Sequence, residues 1–258
     1  MISKEYKNII KAAVMGGRVT KKYFGKILEI EDKSMPADFR TKADLESEKA
    51  ILKILEKNFP KYNIISEEAG EVNKHSEYTF IIDPLDGTNN FVLGILFFSV
   101  GIGLIKGNEI IFGVIYNPIL NNAYFAEKGK GAYLNSKKIE VNKEVNIKNA
   151  SISVAVDYGD STKLQEKLAK ELNDIGIKRY LTNWSCLLDY CLLASGKIES
   201  VVFYNCPMHD FIPGKLIALE AGAIVTDFNG NAEEDERNNT FLTSNSIEIH
   251  KKMLEFLK

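Results

Sequence analysis

The sequence predicts a mixed α/β fold of the α+β type, and three observations support it. Amphipathic helical patterns occupy the N-terminal region, an antiparallel run of strand patterns follows a central apolar segment, and strands alternate with helices from Ser151 onward. At 258 residues the chain can form one large domain or two modest lobes. We expect a first lobe over residues 1–148 and a second over residues 149–258, together making one structural unit.

The first lobe begins with two helical patterns. Apolar residues at helical spacing predict a helix over residues 3–24, capped by Ser3, and a second over residues 44–58. The apolar stripe of the second helix is expected to contain Leu45, Ile51, Leu52 and Leu55. Between the helices, alternation over residues 26–31 predicts a strand, and the polar connector at residues 32–36 is either a solvated loop or a flap over an active site.

Two apolar segments then have the pattern of buried strands that end in carboxylates. Residues 64–66 run into the pair Glu67 and Glu68, and residues 80–82 run into Asp83. Pro84 predicts the end of the second strand, because proline cannot donate to a ladder. An adjacent glutamate pair is also typical of a solvated helix start. The alternative is that the two acidic strand ends meet at one edge of a sheet.

A stiff turn after Asp83 presents a second acid. Pro84 fixes one backbone dihedral and Asp86-Gly87 is a turn pair, so we expect Asp83 and Asp86 to leave a bend rather than opposite faces of a strand. Two carboxylates held this close repel unless a cation lies between them, and oxygen ligands suit Mg²⁺. Gly87 and Thr88 follow at the predicted first turn of a short helix, where free N–H groups would bind a phosphate.

Further strand patterns, separated by hairpin signals, extend the sheet of the first lobe. They cover residues 97–105, 109–116 and 122–126 and continue as a meander over residues 129–141. The second lobe alternates strands with helices. Its strands are predicted over residues 152–156, 178–181, 199–204, 223–227 and 240–243, and its helices over residues 162–175, 185–194, 211–221 and 246–257.

Composition narrows the classes of partner and the compartment. A formal net charge of −2 gives no basic footprint for a nucleic-acid polymer or an anionic membrane. No apolar run approaches the ~20 residues needed to cross a bilayer, and the first residues have no hydrophobic signal core. The three cysteines lack Cys-x-x-Cys spacing, which predicts reduced thiols rather than disulfides or a zinc site. We therefore expect a cytoplasmic protein.

Residues 83–91, Asp-Pro-Leu-Asp-Gly-Thr-Asn-Asn-Phe, resemble the Asp-Pro-hydrophobic-Asp-Gly-Thr-x-Asn-Phe signature of the inositol monophosphatase family of metal-dependent phosphatases. The resemblance implies a five-layered αβαβα sandwich, a homodimer, two or three Mg²⁺ ions in each site and inhibition by Li⁺. It also implies the ligands of the metal ions. These are Glu67, Asp83 as the bridging residue, the carbonyl of Leu85, Asp86 and Asp210.

The same resemblance assigns roles to residues that also have plain structural explanations. Asp44 follows a Thr-x-x-Asp pattern similar to the family motif whose Asp pairs with the Thr of Asp-Gly-Thr, here Thr88, to orient the attacking water. Its position also suits a helix N-cap. Asp210 opens a segment similar to the family motif Trp-Asp-x-x-x-Gly, with His209 in place of Trp, and could likewise be an N-cap. The family likeness favours the functional role for both acids.

On the substrate side, the resemblance implies contacts from Asp86, Gly87, Thr88, Ser185 and Cys186. Trp184 stands where the family has a Gly beside the substrate ring, and Phe203 stands where many inositol phosphatases have a Glu that contacts inositol hydroxyls. A buried Phe accepts no hydrogen bond. Trp184 and Phe203 are either ordinary core residues or an aromatic face for a sugar or a base.

The function that these residues predict is Mg²⁺-dependent hydrolysis of a small polyol or sugar phosphate by activated water, without a covalent phosphoenzyme. Two alternatives keep the chemistry and change the substrate: a fructose-1,6-bisphosphatase and a 3′-phosphonucleotide phosphatase. A third alternative is a regulatory or binding protein on the same scaffold, because a fold does not fix a function.

Overall fold

Helix α1 (Lys7–Tyr23) packs along helix α2 (Lys42–Asn58) at the start of the chain. The computed structural model describes residues 2–26, 30–35, 38–156 and 162–258. A Cβ at Gly16 would lie 2.8 Å from the side chain of Ile51, so the two helices touch at this glycine.

The predicted cap at Ser3 is wrong. The backbone N–H and the hydroxyl of Ser3 both donate to the carboxylate of Glu127 at 2.6 Å, and α1 begins four residues later.

The connector between these helices is not only a loop. Strand β1 (Ile30–Met35) pairs antiparallel with strand β2 (Asp38–Thr41), with Ile30 opposite Thr41. The loop prediction for residues 32–36 is therefore wrong for residues 32–35. Residue 36, and residues 27–29 of the predicted strand, lie outside the described residues, and the proposed flap stays a prediction. On α2, Ile51 and Leu55 are buried as expected, but Leu45 is 37% exposed and does not belong to the apolar stripe.

An eight-stranded sheet forms the centre of the part of the chain predicted as the first lobe, in the order β10-β9-β8-β7-β6-β5-β3-β4. Its strands are β3 (Asn63–Ser66), β4 (Gly70–Val72), β5 (Tyr78–Asp86), β6 (Ser99–Lys106), β7 (Glu109–Asn117), β8 (Asn122–Glu127), β9 (Ala132–Leu134) and β10 (Lys137–Ile139). Neighbouring strands are antiparallel except β3 and β5, which run parallel. The predicted meander is thus confirmed, whereas β4 was not predicted. Helix α3 (Thr88–Val92) follows β5, where the short helix was expected.

The part of the chain predicted as the second lobe contains a five-stranded sheet in the order β12-β11-β13-β15-β14. In chain order its elements are β11 (Ser151–Val156), α4 (Thr162–Asp174), β12 (Arg179–Leu181), α5 (Cys186–Ala194), β13 (Ser200–Tyr204), α6 (Ile212–Glu220), β14 (Ile224–Thr226), β15 (Phe241–Ser244) and α7 (Ile247–Leu257). All five strands and four helices predicted for this lobe are confirmed, with their ends shifted by no more than two residues.

Alternating side chains place each sheet between two layers of helices. Phe80 and Ile82 of β5 pack with α1 and α2, whereas Ile81 between them packs with α5 and α6. In the second sheet, Val201 of β13 faces the same central helices and Val202 faces α4 and α7. Because successive side chains of a strand point to opposite faces, each sheet buries both of its faces. The layers are helices, sheet, helices, sheet and helices, which confirms the predicted αβαβα sandwich.

Glycines bring the start of α6 directly against the first sheet. A Cβ at Gly113 of β7 would lie 2.3 Å from the carbonyl oxygen of Pro213, and a Cβ at Gly103 of β6 would lie 2.5 Å from the side chain of Ile212. No side chain other than hydrogen fits at these contacts. The close approach fixes the segment that precedes α6, which carries Asp210.

The structure bears on the state of the cysteines and on membrane-spanning helices. Cys186, Cys191 and Cys206 are free thiols, as predicted. Among the residues that the structure describes, no helix combines the length and the apolar character that crossing a bilayer requires.

Candidate active site

Two acidic strand ends lie side by side at one edge of the first sheet. β3 and β5 run parallel with Ser66 opposite Ile82, and the N–H of Glu67 donates to the carbonyl of Ile82 at 3.2 Å. The next residue of β5 is Asp83. Parallel pairing in this register therefore brings Glu67 beside Asp83, which confirms the alternative that the two acidic strand ends meet at one edge of a sheet.

A bulge at Pro84 turns Asp83 and Asp86 to the same side. The prediction that the strand ends at Pro84 is wrong, because β5 continues to Asp86. Asp83 pairs with Gly101 and Asp86 pairs with Ser99, so three steps along β5 match two along β6. Residues two apart on β6 share a face, and their partners on β5 therefore share it too. The extra residue accommodates a proline that cannot donate to the ladder, and both carboxyl groups point into one site.

Four acids act on one another in this site. Burial raises the pKa of the Asp83 carboxyl well above its usual value, and the charges of Glu67, Asp86 and Asp210 raise it further. Asp86 has a pKa of about 6, because burial outweighs its hydrogen bonds with the hydroxyls of Ser185 and Ser99. Carboxylates that repel one another in this way favour a cation among them.

Asp210 does not cap a helix. It ends a short 3₁₀ turn, Met208–Asp210, and the residue at the N-cap of α6 is Phe211, which makes no side-chain capping bond. The N-cap alternative for Asp210 is therefore wrong. The side chain of His209, which stands in the place of the family Trp, lies 3.8 Å from the Asp210 carboxylate.

The donor set has the chemistry of a magnesium site. Oxygen ligands from carboxylates and a backbone carbonyl are those that Mg²⁺ prefers. As the side chains stand, no three His, Cys, Asp or Glu residues of the described segments lie close enough together to hold a metal ion. The acids are near enough for their charges to shift the pKa of Asp83, so the residues present fit the ion by composition and charge.

Asp44 divides its two oxygens between a helix cap and the site. Thr41, not Asp44, is the N-cap of α2, and Asp44 completes a capping box at the third helical position. Its Oδ2 accepts from the N–H of Thr41 at 2.8 Å and from the Thr41 hydroxyl at 2.6 Å. Its Oδ1 lies 3.2 Å from the hydroxyl of Thr88, which also lies 2.9 Å from the carbonyl of Leu85. Burial raises the pKa of Asp44 to about 7.

Two polar residues on the buried face of α2 support the site and were missed from the sequence. The hydroxyl of Ser47 donates to the carbonyl of Pro84 at 2.7 Å. The carboxylate of Glu48 accepts from the hydroxyl of Ser66 and from the N–H of Ala69, which holds the turn after β3. Their spacing from Asp44, at three and four residues, puts all three on one helix face. Polar residues at positions 44, 47 and 48, on the face of α2 that is otherwise apolar, were the sequence feature that could have indicated this supporting role.

Two hydroxyl groups converge on Asp86. Ser99 donates to its Oδ2 at 2.7 Å and Ser185 donates to the same oxygen at 2.5 Å. Ser99 was not identified from the sequence, because nothing in a strand pattern shows which residue a bulge will place opposite an acid. Cys186 follows Ser185 at the start of α5, and its thiol pKa is raised by the neighbouring thiol of Cys206 and by burial.

Gly87 has the backbone conformation that this turn requires. Its φ is 85°, in the left-handed region, and it is the N-cap of α3. A Cβ there would lie 3.1 Å from the carbonyl oxygens of both Phe97 and Trp184. The turn after Asp86 is thus in contact with two other backbone segments.

The two aromatic departures from the family pattern differ completely in environment. Phe203 is fully buried, stacked between Tyr190 at 4.7 Å and Phe241 at 5.0 Å, so it is core and offers no aromatic face. Trp184 is 60% exposed and has a φ of 54°, so the core interpretation is wrong for it. Only Trp184 remains available to a ligand.

A family model, two related proteins and a solved structure each resemble this chain over most of its length. The model of the inositol monophosphatase family matches residues 2–257. The chain is 34% identical over 233 residues to the fructose-1,6-bisphosphatase/inositol-1-monophosphatase of Aquifex aeolicus, covering 86% of each protein. It is 34% identical over 196 residues to the Nus factor SuhB of Pasteurella multocida, covering 75% of this chain and 73% of the other. The crystal structure of the extragenic suppressor protein SuhB from Bartonella henselae superposes with a TM-score of 0.92 at 29% identity, covering 99% of both chains.

Proposed function

The chain belongs to the inositol monophosphatase family of magnesium-dependent phosphomonoesterases, and from that premise we propose that its acidic pocket hydrolyses small polyol or sugar phosphates. The observation that carries the proposal is the convergence of acids on Asp83, whose pKa is raised by burial and by the charges of Glu67, Asp86 and Asp210, which come from three segments of the chain. Such a pocket suits a substrate that arrives with cations, because a phosphate dianion alone would be repelled.

We assign the metal ligands to five residues of the pocket. They are Glu67, Asp83, the carbonyl of Leu85, Asp86 and Asp210, which would hold the ions. Two or three Mg²⁺ ions, when bound, would neutralise the phosphoryl oxygens, lower the pKa of a water and stabilise the departing oxygen. Li⁺ would compete for one of these positions and inhibit. Ser99 and Ser185 support this assignment, since their hydroxyls fix the Asp86 carboxylate.

The residues of the chain would position the water and the phosphate. Asp44 and Thr88 share one hydroxyl-to-carboxylate contact, which lets them orient a water and accept its proton. The backbone N–H groups of Gly87 and Thr88 would hold the phosphoryl group directly, whereas Asp86 would act on it through the cation that it helps to bind. Ser185 and Cys186 would line the side of the leaving group, Ser185 through its backbone because its hydroxyl already donates to Asp86.

The test is phosphate release from a substrate panel during a Mg²⁺ titration. The panel contains inositol-1-phosphate, fructose-1,6-bisphosphate and 3′-phosphoadenosine-5′-phosphate, so it separates the polyol phosphatase from the two alternatives within the same chemistry. We expect Mg²⁺-dependent turnover that Asp86→Asn abolishes while its thermal unfolding stays close to wild type. Turnover by Asp86→Asn at the wild-type rate would contradict the proposal.

We further propose a cytoplasmic homodimer. Leu93, Ile95 and Leu96 are exposed apolar residues that follow α3, and a contiguous apolar surface of this kind favours a partner subunit. The three free cysteines are typical of a reducing compartment. Sedimentation of Leu96→Glu, with Val145→Glu as the exposed control, tests the interface. Dimers that persist in Leu96→Glu would contradict it.

A regulatory or binding role on the same scaffold is the second candidate. It is favoured by the likeness to the Pasteurella multocida protein that is named a Nus factor. Complementation separates the two roles, because a strain that lacks this gene would be rescued by an Asp44→Asn variant only if catalysis is dispensable. Failure of that folded variant to rescue would support the enzymatic role.

A further inference from the structure

Trp184 is an exposed indole held in a conformation that disfavours a large side chain. It is the only tryptophan of the chain, and 60% of its surface is exposed. Its φ of 54° lies in the left-handed region, where a bulky residue is strained. A glycine would fit here without strain, so the indole is present at a cost in stability and nothing in the core uses it.

A hydrogen-bond network holds the backbone of this residue from two sides. The amide of Asn183 donates to the carboxylate of Asp189 at 2.6 Å, and Asp189 also accepts from Ser153 at 2.7 Å. The side-chain amide of Asn90 donates to the carbonyl of Asn183 at 2.7 Å and lies 3.5 Å from the carbonyl of Trp184. The loop is therefore fixed by α3 on one side and α5 on the other, and Trp184 is presented on a rigid support.

The backbone of Trp184 lies beside the proposed phosphate site, and its indole is exposed there. The next residue, Ser185, donates to Asp86, and the carbonyl of Trp184 lies 3.1 Å from where a Cβ of Gly87 would be. A leaving group attached to a phosphate at Gly87 and Thr88 would have Trp184 as a close neighbour.

The chemistry of the indole selects among leaving groups. Indole has a single N–H donor and no acceptor, so it offers little to a ring whose edge is covered with hydroxyls. Its face stacks well on flat aromatic rings. Resting on the proposed function, we propose that Trp184 is a specificity-determining residue that stacks on an aromatic ring in the leaving group, so that the site accepts nucleoside monophosphates beside polyol phosphates.

The single tryptophan allows binding to be measured without turnover. Excitation of Trp184 in the Mg²⁺-loaded protein reports stacking directly, read in the first milliseconds after mixing with adenosine 3′-monophosphate. We expect saturable quenching by this nucleotide and none by glycerol 2-phosphate or inositol-1-phosphate. All three probes are monoesters of secondary alcohols, so they differ mainly in the ring. Equal quenching by all three, or none by the nucleotide, would overturn the proposal.

Kinetics of three variants separate the ring from the backbone strain. Trp184→Gly and Trp184→Asn both tolerate the left-handed conformation and remove the ring, whereas Trp184→Phe keeps a ring. We expect Trp184→Gly and Trp184→Asn to raise the KM for adenosine 3′-monophosphate by about 5- to 100-fold, with kcat unchanged. Trp184→Phe should retain most of the affinity, and the KM for glycerol 2-phosphate should stay within about twofold in all three.

The outcomes distinguish this inference from the proposed function. If wild type hydrolyses glycerol 2-phosphate with Mg²⁺ and the variants do not change the KM ratio of the two substrates, only the role of Trp184 is refuted. If no probe is hydrolysed, the proposed function fails and the fluorescence titration alone decides whether Trp184 stacks. A blue-shifted Trp184 emission that appears with dimerisation and resists quenching would show that a second copy covers the indole, and would overturn the proposal.

Discussion

The hydroxyl of Thr88 lies 3.2 Å from Oδ1 of Asp44, although the two residues belong to different helices and are 44 positions apart in the chain. The other oxygen of Asp44 is occupied by the cap at Thr41, so Oδ1 is directed to Thr88 by the geometry of the helix start. One oxygen of Asp44 thus completes the cap and the other contacts Thr88, and the catalytic role that we propose uses only the second oxygen.

The first prediction concerns this pair. Thr88→Val removes the hydroxyl with little change in volume, and we expect kcat to fall by about 10²- to 10⁴-fold, the usual contribution of a positioned proton acceptor and its partner. Phosphate release at saturating Mg²⁺ and substrate is the measurement. Thr88→Ser is the matched control because it keeps the hydroxyl, and it should retain activity within about tenfold. A Thr88→Val enzyme with wild-type kcat would refute the assignment.

The second prediction concerns the two hydroxyls on Asp86. Ser99→Ala and Ser185→Ala each remove one hydrogen bond to the same carboxylate oxygen. Groups that orient a metal ligand typically contribute about 10- to 100-fold in metal affinity. We expect each variant to need about tenfold more Mg²⁺ for half-maximal activity, with kcat restored at saturation.

The KM of Ser185→Ala decides what its hydroxyl does. Because that hydroxyl already donates to Asp86, we expect the KM for inositol-1-phosphate to match that of Ser99→Ala at saturating Mg²⁺. A KM that rises only in Ser185→Ala would mean that the hydroxyl itself contacts the substrate. It would contradict the proposal that the hydroxyl binds Asp86 and only the backbone of Ser185 faces the leaving group.

Much of the fold was predictable because the chain is periodic. The second lobe alternates strand and helix patterns, and each predicted element is present within two residues of its expected ends. The convergence of Glu67 and Asp83 followed from two apolar strands that both end in acids. In these places local pattern and tertiary structure agree.

What could not be predicted depended on contacts between distant segments. At the bulge around Pro84, β5 has one residue more than the paired stretch of β6. The sequence pattern of β5 alone does not show which strand pairs with it or where the register shifts. Ser3 had a suitable position for a helix cap, but it binds the carboxylate of Glu127, 124 residues away. Leu45 had a suitable position for the apolar stripe of α2, but its side chain lies on the solvent side of the helix. For Trp184 the sequence left a core position and an exposed aromatic face as alternatives, and only the structure decides between them.

The third prediction follows from Asp189, a buried acid that has no cation beside it among the residues that the structure describes. Burial raises its pKa from 3.8 to about 7, against hydrogen bonds with Asn183 and Ser153 that lower it. The folded state therefore holds a proton that the unfolded state has released between about pH 4 and pH 7. The stability from this proton is fully present below pH 4 and is lost as the pH rises through 7.

Asp189→Asn keeps both hydrogen-bond partners and removes the charge. In metal-free protein at pH 8.5 we expect the variant to be more stable than wild type by up to about 4 kcal/mol, from about three pKa units at 1.36 kcal/mol each. The difference should vanish near pH 4. Urea unfolding across this range is the measurement, and an equal difference at pH 4 and pH 8.5 would show that ionisation of Asp189 is not the cause.

The fourth prediction concerns the contact that positions Asp210. A Cβ at Gly113 would lie 2.3 Å from the carbonyl oxygen of Pro213, and backbone must move to accept it. Gly113→Ala should lower the free energy of unfolding by about 1 to 3 kcal/mol or more, as overpacking does. Because α6 must shift away from the sheet, Asp210 shifts with it, and the Mg²⁺ concentration for half-maximal activity should rise as well.

Gly107→Asn is the control, since Gly107 has a φ of 59° that Asn tolerates and nothing lies within 4 Å of its Cβ position. That control should unfold within about 1 kcal/mol of wild type and keep its Mg²⁺ requirement. If Gly113→Ala loses stability but binds Mg²⁺ as well as wild type, the glycine contact supports the fold and does not set the position of Asp210.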